Sequence, residues 1–140
     1  MLPQMRVEDL KTEKLSEAWA IVRSSGFYGN EDWWIAEGTD LIRDRGGVLA
    51  ARARDGRLHG VATFEVPRRP NNDTLVVRML LTFELSRSAP ARNALLNSLK
   101  RIATKLECTH ILLPLSGKRE LRRAVDDYDR SNRGSCPLLN

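Results

Sequence analysis

The stretch Thr74-Leu-Val-Val-Arg-Met-Leu-Leu-Thr-Phe83, followed by Glu84-Leu-Ser-Arg-Ser-Ala-Pro-Ala-Arg92, decides how the rest of the chain reads. Its first part is rich in β-branched and aromatic residues, which predicts a buried strand. Its second part is a turn carrying Arg87 and Arg92. Beyond it Leu95, Leu96, Leu99, Ile102, Ala103 and Leu106 recur at helical spacing, with Lys100, Arg101 and Lys105 on other faces. A second apolar run, His110-Ile-Leu-Leu-Pro-Leu115, closes the unit. Strand, basic turn, helix, strand is a βαβ pattern, with the helix starting just past the strand's carboxyl end. Amides at a helix start carry partial positive charge and attract phosphate or carboxylate. Chemistry or binding is therefore expected at this turn.

Working towards the N-terminus, Pro67-Arg-Arg-Pro-Asn-Asn-Asp73 reads as a breaker-rich loop. Before it, Val48–Arg54 and Leu58–Val66 flank Asp55-Gly56, a strong hairpin signal. Asp32 is expected to cap a helix running through Trp33, Trp34, Leu41 and Ile42 to Gly46-Gly47. Leu15, Ala18, Trp19 and Val22 predict an earlier helix stopping at Gly26, and Arg6–Leu10 a short opening strand. After Leu115 a charged helix is expected from about Lys118 to Ser131. The order is β-α-α-β-β-β-α-β-α, with no internal repeat.

At 140 residues this is one domain with one core, covering the whole sequence. A hydrophobic fraction of 41% and a charged fraction of 29% are those of an ordinary globular protein. The first residues lack the apolar core of a signal peptide, and no run approaches membrane-spanning length. A cytoplasmic protein without a membrane role is the expectation. The two cysteines, Cys108 and Cys136, have no metal-ligand spacing, and two free thiols or one disulfide both fit the sequence. No metal site is expected. The net charge is +5, with arginines gathered at 52, 54 and 57, at 68 and 69, and between Lys118 and Arg123. Such charge suits nucleic acid, an acidic partner or a phosphorylated cofactor, but it also suits a merely solvated basic surface.

The order of elements and several local signatures resemble the GNAT superfamily of N-acyltransferases, which transfer an acyl group from acyl-coenzyme A to an amine. Met5–Leu10 looks like the family's opening strand and helix entry, and Val48–Ala62, with Asp55-Gly56 and Gly60, like its second and third strands. Ala94-Leu-Leu96 with Leu99 and Ala103 looks like the helix after the pyrophosphate loop. Ile111-Leu-Leu113 looks like the next strand, and Ala124-Val-Asp-Asp-Tyr128 like the family's late helix. The resemblance implies a mixed, strongly twisted α/β (α+β) sheet covered by helices, truncated at the C-terminus, where a partner chain in a homodimer is one way to complete it.

It also implies acetyl-CoA, or another acyl-CoA, as cofactor and a small-molecule or protein amine as acceptor. The pyrophosphate loop corresponds to Arg87, Ser88, Ala89, Pro90, Ala91 and Arg92, followed by Asn93. This chain departs from the family there, with Pro90 where a glycine stands and Arg92 where glycine or alanine stands. Proline lacks a donor, though a helix's first turn tolerates it, and Arg92 brings a charge suited to phosphate. By resemblance, Leu81 and Phe83 offer their backbone groups to the pantetheine arm, and Tyr128 is the general acid that protonates the departing thiolate. A phenol suits that task because its pKa lies near that of a thiol.

For the general base the expected strand holds no carboxylate, leaving Glu84 at its end, Glu65 or His59. Trp33 and Trp34, with Phe27 and Tyr28, fall where the family lines its acceptor cleft. Adjacent tryptophans on a helix point apart, so one is expected to be buried and the other available. The expected function is N-acetyl transfer. The alternative is a catalytically inactive domain of the same fold that binds nucleic acid or a protein, to which the altered loop and the basic charge both point.

Overall fold

The structure, a computed structural model, describes residues 5–25, 29–66 and 74–114. The expected helix from Lys118 to Ser131, with Tyr128 and Cys136, lies outside the described residues, as do Phe27, Tyr28, Arg68 and Arg69. Among the described residues the elements are β1 (Arg6–Asp9), a 3-10 helix (Thr12–Ala18), α1 (Trp19–Ser24), α2 (Glu31–Asp44), β2 (Gly46–Arg52), β3 (Leu58–Glu65), β4 (Thr74–Thr82), α3 (Pro90–Lys105) and β5 (His110–Leu112). They form one sheet in the order β1-β2-β3-β4-β5. The first four strands are antiparallel neighbours, and β5 joins β4 in parallel. The mixed α/β architecture expected from the sequence is the one observed.

Helices cover both faces of the sheet. On one face α3 buries Ala91, Leu95, Leu99 and Ala103 against Leu49, Ala51, Ala62, Phe64, Leu75 and Val77. Fully burying one leucine contributes roughly 1.5–3 kcal/mol, so the apolar stripe read from Leu95 to Ala103 is what docks α3. On the other face the 3-10 helix, α1 and α2 bring Leu10, Leu15, Ala18, Val22 and Trp34 against Val48, Ala50, Val61 and Met79. The Trp34 indole N–H donates to the Leu15 carbonyl at 2.7 Å and is fully buried, while Trp33 is exposed. One tryptophan is buried and its neighbour exposed, as their helical spacing predicts.

Both ends of α2 differ from expectation. Asn30, not Asp32, caps α2, its side-chain oxygen accepting from the Trp33 amide at 2.9 Å. The capping oxygen must belong to a residue of extended backbone just outside the helix, and Asn30 is that residue. Gly46 and Gly47 open β2 instead of ending the helix. A Cβ on Gly46 would run into the Phe64 carbonyl oxygen, so the approach of β2 to β3 at that point requires a glycine.

Candidate functional site

The feature that shapes the site is a change of register in β4. Thr63 opposes Met79 and Phe64 opposes Val77, which leaves Arg78 unopposed as a β-bulge. A bulge bends its strand and increases the local twist. It also reverses side-chain parity, so Val77 packs under α3 while Met79 packs on the α1 and α2 side. The pairing of β4 with β5 stops just before it, at Val76 opposite Leu112. Beyond Val76, no strand among the described residues pairs with that edge of β4. Among the described residues, the second half of β4 therefore runs as an unpaired edge to the turn before α3.

Backbone direction along that edge follows from one hydrogen bond. The Phe83 amide donates to the His59 carbonyl at 2.7 Å, and Leu81 opposes Val61. In an antiparallel pair alternate residues turn their N–H and C=O groups towards the partner. Leu81 and Phe83 therefore address β3, and the groups of Leu80 and Thr82 face the open edge. This corrects by one residue the expectation that Leu81 and Phe83 offer their backbone to an extended arm. The sequence pattern missed it because strand alternation alone does not say which parity faces which neighbour. The side chain of Leu81 is half-buried on the α1 and α2 side, and Phe83 is exposed, its ring edge-on to His59 with centroids 6.0 Å apart.

The turn from Glu84 to Ala89 is held by its own polar groups. Ser86 and Ser88 share a hydroxyl–hydroxyl hydrogen bond of 2.8 Å, and the Asn93 side-chain N–H donates to the Ser88 carbonyl at 2.8 Å. Arg87 and Ser88 are exposed, Arg92 half-buried and Ala91 buried. Ala89 is the N-cap of α3 with φ of 50°, the left-handed region, and Pro90 is the first helical residue. Proline's fixed φ suits that position, and its missing N–H falls where a helix has no internal acceptor anyway.

Glu84 supplies what the sequence did not foretell. Its carboxylate accepts from the amides of Ala91 at 3.2 Å and Arg92 at 2.8 Å. The next amide, Asn93, already donates to the Ala89 carbonyl at 3.0 Å, and Ala89 itself donates to Ser86. The start of α3 therefore has its donors satisfied from within the chain. The carboxylate expected as a candidate general base is thus drawn onto the positive end of α3, where it caps the helix.

The other candidates for a base are placed as follows. Glu65 lies 3.4 Å from the Arg78 guanidinium, which also stands 3.9 Å from Glu37 of α2. His59 is buried, and its Nδ1 has no hydrogen-bond partner among the described residues. No group of three or more histidine, cysteine, aspartate or glutamate side chains among the described residues could hold a metal ion. No helix among them is long and apolar enough to cross a membrane.

No protein-family model and no curated protein matches this sequence. Solved structures do match. An aminoglycoside N-acetyltransferase, AAC(6')-Iy in complex with CoA, superposes with a TM-score of 0.69 at 13% identity, over 96% of this chain and 88% of the other. A GNAT family acetyltransferase of Staphylococcus aureus subsp. aureus USA300_TCH1516 gives 0.62 at 18% identity, over 85% and 90%. A ribosomal-protein-alanine N-acetyltransferase of Brucella melitensis biovar Abortus 2308 gives 0.64 at 19% identity, over 89% and 90%. These matches span the order of strands and helices described above, and the chain has the GNAT acetyltransferase fold.

Proposed function

We propose that this protein is an N-acetyltransferase that takes its acyl group from acetyl-CoA and passes it to an amine. The observation that carries the reading is the open edge of β4 beyond the Arg78 bulge, leading directly to the start of α3. An extended arm with amide groups pairs naturally with an unpaired strand edge, as a peptide does in β-augmentation. A diphosphate at its end then meets a helix N-terminus flanked by arginines. The same architecture in an N-acetyltransferase solved with CoA supports this reading.

In this reading the backbone groups of Leu80 and Thr82 hold the arm, and Arg87, Ser88, Ala89, Ala91, Arg92 and Asn93 form the diphosphate end. Bound acetyl-CoA supplies an activated acyl group as a thioester. Tyr128, assigned by resemblance, would give its Oη proton to the departing sulfur and be reprotonated by the proton that the amine loses on acylation. The chain contributes mainly position: holding amine and thioester in contact converts a bimolecular step into an effectively unimolecular one. The small-molecule class of acceptor is suggested by the aminoglycoside acetyltransferase among the structural neighbours.

A second reading has its own support. With Pro90 lacking an N–H and Glu84 on the next two amides, the chain resembles an inactive member of the fold that binds nucleic acid or protein through its +5 charge. Calorimetric titration with acetyl-CoA separates the two. Micromolar binding followed by thiol release with some amine supports the transferase, and Tyr128→Phe should then slow turnover at unchanged affinity. No binding at millimolar acetyl-CoA rejects it. Nucleic-acid affinity falling steeply with salt supports the second.

A further inference from the structure

The structure assigns Glu84 the role of an internal competitor for the donor's diphosphate, a residue that sets which anions the site accepts; this rests on the donor site proposed above. The carboxylate sits on the amides of Ala91 and Arg92 at 3.2 and 2.8 Å. These are the donors that a diphosphate at the start of α3 would need, since Pro90 has no N–H and the Asn93 amide is spent on Ala89. A helix start offers few donors, and here they have one anionic occupant already.

The occupant is held on a tether that can release it. Glu84 is the second residue after β4, half-buried, and the turn that follows it is exposed from Leu85 to Ser88. Rotation of its side chain moves the carboxylate into water without breaking a sheet hydrogen bond, since the strand end is held to β3 by the Phe83 amide. An incoming diphosphate inherits the two amides and adds the charges of Arg87 and Arg92. A monoanion gains no such advantage over the carboxylate it displaces. Glu84 thereby lowers affinity for every anion and leaves useful occupancy only to multiply charged ones.

The test is calorimetric titration of the wild type, Glu84→Gln and Glu84→Ala with two probes, CoA and inorganic pyrophosphate. Glutamine keeps an oxygen that can cap the helix, so that variant stays folded while losing the charge. Both probes should bind the variants about tenfold more tightly, the scale of a charge-assisted hydrogen bond gained. Amide exchange provides the second readout: Ala91 and Arg92 should exchange faster in Glu84→Ala and regain protection with pyrophosphate. Equal or weaker binding by both variants overturns the competitor role. If the wild type nevertheless binds CoA at micromolar concentration, the donor-site reading survives that result. If the variants gain affinity for pyrophosphate but none of the proteins binds CoA, the competitor role stands and the donor reading falls. Binding of neither probe by any of the three proteins overturns both.

Discussion

The amide of Phe83 is bonded to the carbonyl of His59 at 2.7 Å, and this one contact fixes which backbone groups β4 presents to its open edge. Leu81 and Phe83 face β3, and Leu80 and Thr82 face away from it. Hydrogen exchange on the wild-type protein should show the amides of Leu81 and Phe83 protected without ligand. Those of Leu80 and Thr82 should exchange faster and become protected when CoA is added. The opposite pattern would return the arm to Leu81 and Phe83.

Arg87 is exposed, and the proposed donor site assigns its charge to the diphosphate. Arg87→Ala should weaken CoA binding about fivefold to tenfold, the contribution of roughly 1 kcal/mol expected of a solvent-screened charged contact. Thermal stability should not change. Arg92→Ala should add a loss of similar size if both guanidiniums contact phosphate. Unchanged CoA affinity in Arg87→Ala would remove that residue from the site.

Ala89 adopts the left-handed backbone region at φ of 50°. An L-residue with a Cβ pays about 1 kcal/mol for that conformation, and glycine does not. Ala89→Gly should raise the midpoint of chemical unfolding by the equivalent of about 0.5–1 kcal/mol. Destabilisation would mean that the methyl group makes contacts worth more than the strain.

Trp33 and Trp34 are neighbours with opposite fates. Trp34→Phe should destabilise the protein by about 2–3 kcal/mol, because it opens space in a fully buried position and leaves the Leu15 carbonyl without its donor. Trp33→Phe should stay within about 0.5 kcal/mol, as surface substitutions usually do. Denaturant unfolding of both variants measures the contrast.

Arg52 ties β1, the 3-10 helix and the hairpin turn together. Its guanidinium lies 2.6 Å from Glu8, 2.7 Å from Glu17 and 2.7 Å from the Gly56 carbonyl. The hydrogen bond from Arg52 holds the Glu17 carboxyl below its usual 4.5. A carboxyl whose pKa is lowered on folding stabilises the native state above its unfolded pKa and ceases to do so as pH falls through the folded value. Glu17→Gln should therefore cost at most about 1 kcal/mol at pH 7, given its exposure. The gap between variant and wild type should narrow below about pH 4.5 and close at lower pH. A gap that persists in strong acid would point to packing and not to charge.

Among the described residues, the sequence by itself determined the strands and helices and their order. Thr74–Phe83 carries enough β-branched and apolar side chains to be a buried strand, and the spacing from Leu95 to Ala103 admits one apolar helical face. Asp55-Gly56 is local turn chemistry, and Gly56 takes the positive φ that the turn requires. These are properties of nearest neighbours along the chain, so they are legible without a partner strand. Tertiary structure decided what those elements do at the site. The bulge at Arg78 is a shift in the register of β4 against β3, and the edge beyond it is unpaired among the described residues because the β5 pairing ends at Val76. The parity of Leu80 and Thr82 is set by hydrogen bonds to a strand some twenty residues earlier. Glu84 has an ordinary sequence context, and only the return of the chain at Pro90 brings the amides of Ala91 and Arg92 onto its carboxylate. Direction of backbone groups and occupancy of a helix end are relations between segments, and a pattern along one segment does not contain them.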